Sequence, residues 1–208
     1  MSRPTELRLL GIVLCGGLSK RMGRDKAGIR LPVPMPKDPN FLGENFLEHA
    51  VARLLKVTDT VRISVANLDV ELPSRFNLIA DAPPSCGPIS GIQSSLTYAR
   101  DHQFSGCIFT AVDTPLLTDK DIHCLIRAYS DDPTKVVCAD GGAQSKYEPL
   151  IGIYPTAVIP VIDQSILQGE YGLQRLLDKI PTRRIELPTA SIRNFNTPSD
   201  LQHLPTDS

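Results

Sequence analysis

Apolar residues in this chain fall into short runs separated by amphipathic stretches. Six runs read as strands: "LRLLGIVLC" (7–15), "TVRISVAN" (60–67), "NLIAD" (77–81), "GCIFTAVD" (106–113), "KVVCAD" (135–140) and "YEPLIGIYP" (147–155). Most are continuous rather than alternating, the pattern of strands covered on both faces. Between them the period changes to that of a helix. In "NFLEHAVARLLKV" residues Phe46, Leu47, Ala50, Val51, Leu54 and Leu55 make one stripe. "GPISGIQSSLTYAR" (87–100) has Pro88 near a helix start, and "TDKDIHCLIRAY" opens on Thr118 as N-cap with Asp121 three residues on. "TAVIPVIDQSIL" and "GLQRLLDKI" read as later helices, with Pro160 expected to kink or break the first. A last helix is expected in "TPSDLQHL", with Thr197 as its cap.

Strand alternating with helix predicts an α/β fold with a Rossmann-like, mainly parallel sheet and flanking helices, as a single domain over 1–208. Ligands in such sheets lie at the carboxyl ends of the strands. One segment resists assignment. "LPVPMPKDPNFLGEN" carries Pro32, Pro34, Pro36 and Pro39, which rules out a helix and predicts a long extended loop, expected on the surface.

Composition narrows the classes. With 208 residues, 41% hydrophobic and 22% charged, the chain has the make-up of a globular domain. A formal net charge of −1 argues against a general nucleic-acid binder. The five cysteines, Cys15, Cys86, Cys107, Cys124 and Cys138, form no C-x-x-C pair, so structural zinc is not expected and a reducing compartment is. The apolar run 9–15 is too short to span a bilayer and reads as a buried first strand. The expectation is a cytoplasmic protein with no membrane partner.

Charge is nonetheless gathered in one place. "GGLSKRMGRDK" (16–26) holds Lys20, Arg21, Arg24 and Lys26 against the single acid Asp25. It matches neither G-x-x-x-x-G-K-[ST] nor G-x-G-x-x-G. Paired glycines and cations after a buried strand still suit a phosphate, although a solvated basic turn would have the same composition. Asp113, ending "FTAVD", can hold a hard cation or cap the following helix. Asp81, ending "NLIAD", can contact a ligand or bond its own turn. Asn194 and Asn196 in "NFNTPSDL" share one side of an extended segment, as ligand contacts or as turn residues. The histidines, His49, His102, His123 and His203, lie outside these motifs and read as ordinary surface or half-buried residues.

"LCGGLSKRMGRDKAGI" closely resembles the L-x-G-G-x-S-x-R-M-G-x-D-K signature of MobA-like nucleotidyltransferases, and "DAPPSCGPISGIQSSL", "VDTPLL" and "NFNTPSDL" follow in that family's order. The resemblance covers nearly the whole chain. It implies a glycosyltransferase-A-like nucleotidyltransferase fold. It also implies transfer of GMP from Mg·GTP to molybdopterin, with release of pyrophosphate. By the same resemblance Leu14, Cys15, Gly16 and Gly17 would lie against the nucleotide. Lys26, with Arg21 nearby, would grip phosphates, and Asn67 and Asp81 would contact guanosine. Gly87 would line the site, Asp113 would bind GTP and Mg²⁺, and Asn194 and Asn196 would complete it. Cys15 departs from the family's usual alanine, and the proline-rich stretch is longer than its usual connection. Molybdoenzymes or cofactor-delivery proteins are candidate partners. Three rivals stand beside this reading: a molybdopterin cytidylyltransferase, a non-catalytic nucleotide-binding subunit for molybdoenzyme assembly, and a sugar-phosphate nucleotidyltransferase.

Overall fold

The computed structural model describes residues 7–15, 45–66, 68, 72–140, 147–195 and 200. Among them seven strands form one sheet: β1 (Leu9–Leu14), β2 (Val61–Val65), β3 (Leu78–Ala80), β4 (Gly106–Ala111), β5 (Val136–Asp140), β6 (Tyr147–Pro155) and β7 (Thr182–Glu186). Their order across the sheet is β3-β2-β1-β4-β6-β5-β7. β1 runs parallel to β2 and β4, β2 to β3, and β5 to β7, whereas β6 is antiparallel to both its neighbours. The expectation of a mainly parallel α/β sheet holds.

Among the described residues, helices α1 (Phe46–Leu55), α2 (Pro88–Asp101), α3 (Asp119–Asp131), α4 (Ile159–Leu167) and α5 (Leu173–Lys179) cover the two faces. The alternation of β1 decides which strand residues each face receives. Val13, with Ile63, Ile108 and Val137, packs under α1 and α3 residues such as Leu54 and Leu125. Leu10, Ile12 and Leu14, with Phe109 and Tyr154, pack under Ile92 and Leu96 of α2, Ile162 of α4 and Leu177 of α5. Burial on both faces explains why the strand runs are apolar throughout.

Helix starts follow their capping residues. Asn45 accepts from the backbone N–H of Glu48 at 2.8 Å. Thr118 caps α3, as the sequence predicts, and Asp121 closes a full capping box with it. Pro160 is a correction. A short 3₁₀ turn, Thr156–Val158, leads into α4, and Pro160 sits in the first turn, where its missing N–H breaks no helical bond. β7 was not expected, because "TRRIE" has one apolar residue in five and lies at the sheet edge. The proline-rich residues 32–44 and the helix expected from Thr197 to 199 and beyond 200 lie outside the described residues.

The α1 stripe also differs. Leu55 is 53% exposed, while His49 and Arg53 are 2% exposed. The apolar positions point at the sheet, and the i, i+4 pair His49 and Arg53 points along its carboxyl edge instead.

Phe109 joins the two halves of the sheet, fully buried and edge-on to Tyr154 at 5.4 Å between ring centroids. Phe109→Ala is expected to destabilise the protein by about 3–5 kcal/mol through loss of burial and the cavity left behind, measured as a lower midpoint in urea unfolding.

Candidate functional site at the carboxyl edge

The strand order turns at β1 and β4, where chain connections leave in opposite directions, and a crevice at the carboxyl ends is the usual ligand site of such sheets. Single hydrogen bonds carry the ladders past the strand ends. Cys15 N donates to Ser64 O at 2.9 Å, Asp81 N to Val65 O at 3.0 Å, and Val112 N to Leu14 O at 3.3 Å. Asp113 follows directly. Its carbonyl accepts from Phe195 N at 2.8 Å, which brings the segment carrying the exposed Asn194 to the same edge. Leu14, Cys15, Asp81, Asp113 and Asn194, far apart in sequence, therefore share one edge. Gly16, Gly17, Arg21, Lys26, Asn67 and Asn196 lie outside the described residues.

Helix α2 begins at this edge. Gly87, its N-cap, has φ 82°, a left-handed conformation that favours glycine. One turn on, Gly91 touches three of the strand ends. A Cβ there would meet Ser64 Oγ at 2.6 Å, and Asp81 Oδ1 and Leu14 Cδ2 at 3.4 Å each. The helix can approach the edge so closely only because this residue has no side chain. Sequence reasoning missed Gly91 as a site residue, although it lies inside the quoted motif "GPISGI".

Asp81 does bond its turn: Oδ2 accepts from Ser85 Oγ at 2.7 Å. Two serines of α2 hold the same turn, Ser94 accepting from Ala82 N at 2.9 Å and Ser90 from Cys86 N at 2.8 Å. Partial burial pushes the Asp81 carboxyl above its usual range, and the Ser85 bond offsets part of that.

The turn after Asp113 is held more firmly. Thr114 Oγ1 donates to Ala111 O at 2.9 Å, and Leu117 N to Thr114 O at 3.3 Å. Helix α3 takes its cap from Thr118, five residues past Asp113, so Asp113 is not the helix cap. From the other side Arg53 Nη1 donates to Thr114 O at 3.0 Å and to Leu117 O at 2.9 Å. His49 Nε2 lies 3.0 Å from Pro115 O. The expectation that every histidine is remote from the motifs is thus corrected for His49. Its partner is a backbone carbonyl, which no spacing rule in the sequence reveals. His102 and His123 are exposed and bond carbonyls of their own helices, and His203 lies outside the described residues.

Burial lowers the Arg53 guanidinium to about 10, against the pull of Asp119 and Asp121, so it remains charged at neutral pH. Its Nε and Nη2 have no hydrogen-bond partner among the described residues.

A further carboxylate, Glu148, enters from β6. The β4–β6 ladder stops at Phe109 and Gly152, and the β5–β6 register jumps between Cys138 opposite Gly152 and Ala139 opposite Glu148. This bulge re-aims the start of β6. Burial first, then the negative charges of Asp113 and Asp140, push the Glu148 carboxyl above its usual range. Asp140 in turn lies 3.5 Å from Arg184 Nη1. Glu148 was legible only as a strand residue, since its proximity to Asp113 depends on an antiparallel neighbour.

Comparison with known proteins agrees with this geometry. The MobA-like NTP transferase domain matches residues 11–185. A probable molybdenum cofactor guanylyltransferase of Rhodopirellula baltica is 35% identical over 198 residues, 93% of this chain and 90% of that protein. A molybdenum cofactor guanylyltransferase of Rhizobium johnstonii is 28% identical over 206 residues, 93% and 90% of the two chains. In fold, the chain is similar to the crystal structure of molybdopterin-guanine dinucleotide biosynthesis protein A from Archaeoglobus fulgidus. The TM-score is 0.70 at 20% identity, covering 94% of this chain and 96% of that one. It is also similar to 2-C-methyl-D-erythritol 4-phosphate cytidylyltransferase from Thermus thermophilus, with TM-score 0.62 at 12% identity over 93% and 95%. With a family model that matches most of its length and a relative 35% identical over 93% of it, the chain belongs to the MobA-like NTP transferase domain family.

Proposed function

We propose that this protein transfers GMP from Mg·GTP to the phosphate of molybdopterin, releasing pyrophosphate and forming the guanine dinucleotide cofactor. The observation that carries the reading is the convergence of Asp81, Leu14–Cys15, Asp113 and Asn194 on one sheet edge, with the basic sequence 16–26 following directly on Cys15. The similarity to molybdenum cofactor guanylyltransferases points to the substrates.

The donor set suits magnesium. Asp113 and Glu148 offer hard carboxylate oxygens, and among the described residues no three His, Cys, Asp or Glu side chains gather into an all-protein cage. Mg²⁺ usually takes one or two carboxylates and completes its shell with phosphate oxygens and water. When bound, it would neutralise charge on the triphosphate and the departing pyrophosphate. Asp113 would hold it.

The remaining roles belong to the chain. Leu14, Cys15, Gly16 and Gly17 would lie along the nucleotide, Asp81 and Asn67 would accept from guanosine, and Gly87 would let the backbone approach. Lys26 would act as a point charge and Arg21 as a two-pronged fork on the phosphates. Asn194 and Asn196 would supply polar contacts beside Asp113. No side chain need remove a proton, because a phosphate monoester has its second pKa near 6 and is largely dianionic at neutral pH. The described histidines, bonded to backbone carbonyls, fit that absence of demand. Local cations then explain a basic turn in a chain of net charge −1: two anions must meet in the site. Cys107 and Cys138 are buried in the core as small hydrophobes, as a cytoplasmic setting would allow, and among the described residues no helix is long and apolar enough to cross a membrane.

The deciding experiment measures pyrophosphate release with molybdopterin as acceptor. Turnover is expected with GTP and Mg²⁺, little with CTP, and none after chelation. A preference for CTP would assign the cytidylyl reaction instead, and silence with both would leave a binding subunit. Lys26→Ala should lower turnover by roughly 10² to 10³, the scale of losing one preorganised donor. Asp113→Ala should abolish the magnesium dependence along with activity, and Arg24→Ala should cost less than Arg21→Ala.

Glu148 provides a pH test. Its folded pKa lies above the usual 4.5, so the folded protein binds this proton more tightly than the unfolded chain does. The associated stability is present below about pH 4.5 and is lost as pH rises through the folded pKa. Glu148→Gln removes that loss. Its melting temperature should exceed the parent's at pH 7–8 in metal-free buffer, with the gap closing as pH falls through the carboxylate range.

A further inference from the structure

The fully buried pair on α1 has no part in the transfer chemistry described above, yet it grips the turn that follows Asp113. Arg53 and His49 are each 2% exposed and direct three donor contacts at three carbonyls: Thr114 at 3.0 Å, Pro115 at 3.0 Å and Leu117 at 2.9 Å. We propose that His49 and Arg53 are positioning residues that fix the Asp113 carboxylate against the metal-bound triphosphate by clamping the Thr114–Leu117 turn. The proposal rests on the reading of Asp113 as the metal carboxylate.

The cost of the arrangement argues for such a role. Burying a guanidinium removes its hydration, and here two of its nitrogens, Nε and Nη2, find no partner among the described residues. A well-packed apolar side chain of similar volume commonly serves stability as well or better. What an apolar residue cannot do is hold carbonyl oxygens in fixed directions. The turn needs such donors. Pro115 has no N–H, and the Thr114 and Leu117 carbonyls point into the protein, where an unpaired oxygen would be expensive.

The clamp also closes a set of restraints around Asp113. Upstream, Val112 N is tied to Leu14 O; at Asp113 itself, the carbonyl is tied to Phe195 N; downstream, the next turn is tied to α1. Thr114 Oγ1 on Ala111 O bridges across the residue. Asp119 and Asp121, the acids that face Arg53, lie in the same stretch of chain, and Lys56 pairs with Asp119 at 2.8 Å, so α1 grips this segment over three successive polar positions. Buried and bonded to the turn, neither His49 nor Arg53 would touch a bound substrate. Their effect would pass through the backbone of residues 114–117, and partners of this outer kind typically alter metal affinity or activity by 10- to 100-fold.

The test measures metal binding without turnover. Mn²⁺ is titrated, with a non-hydrolysable GTP analogue present, into the parent protein, Arg53→Lys, Arg53→Met, His49→Gln, His49→Leu and Asp113→Asn. Free Mn²⁺ is read by electron paramagnetic resonance. Analogue affinity without metal and thermal unfolding are measured on each. Arg53→Met and His49→Leu are expected to weaken Mn²⁺ binding roughly tenfold while analogue affinity without metal stays within about twofold. Arg53→Lys should fall between Met and parent. His49→Gln, which keeps a side-chain N–H donor, should recover most of the loss. Equal Mn²⁺ affinity in His49→Leu, His49→Gln and parent would overturn the proposal, whatever their melting temperatures. If Arg53→Met fails to fold, the His49 pair decides alone. Loss of Mn²⁺ binding in Asp113→Asn without loss in the α1 variants would overturn the clamp and keep the metal reading. Unchanged binding in Asp113→Asn would overturn the metal reading and the clamp with it.

Discussion

The ladder between β1 and β4 is the constraint on which the site depends. Its register sets Leu14 opposite Ala111, and the next bond, Val112 N to Leu14 O, carries the two strand ends forward together. Every proposed function of the edge requires this pairing. In sequence, the glycine-rich segment begins directly after Cys15, and the carboxylate Asp113 directly follows Val112. A register shift of one residue would turn the side chains of a strand to its opposite face and separate the two. The registry is over-determined by burial: Leu10, Ile12 and Leu14 must meet the α2 side of the core, and Val13 the α1 side.

Around that ladder the edge is built by contacts of high sequence separation, each closing a different loop. Helix α2 comes close through Gly91, the C-terminal segment docks through Phe195 on Asp113, and α1 reaches across to the turn after β4. The antiparallel strand β6 adds Glu148 from the far side. The result among the described residues is an edge rich in carboxylates. Asp81 and Glu148 both carry pKa values raised by burial, and Glu148 feels Asp113 and Asp140 as well. On the proposed reading, the cations of segment 16–26 and a divalent metal would supply the complementary charge, which would give the chain's uneven charge distribution a physical reason.

The family resemblance and the local physics point the same way for different reasons. The signature in 14–29 identifies a family, and the matched domain over 11–185 bears that out. Parallel strands leave their loops at the carboxyl edge, so Asp81, Asp113, the start of α2 and the segment carrying Asn194 meet there independently of the signature.

By itself the sequence determined the class of fold, six of the seven described strands, the start of α3 at Thr118 and the motif residues worth testing. Those are properties of short segments: hydrophobic period, capping chemistry and glycine or proline placement act within a few residues. The structure decided what depends on distant partners. β7 escaped notice because an edge strand need not be apolar, and Pro160 fell in a helix's first turn because a 3₁₀ turn precedes it. Glu148, Gly91, His49 and Arg53 came into view only once the chain was folded. Each owes its place to a neighbour some 25 to 65 residues away, and a buried arginine on an amphipathic helix looks, in sequence, like any solvated one.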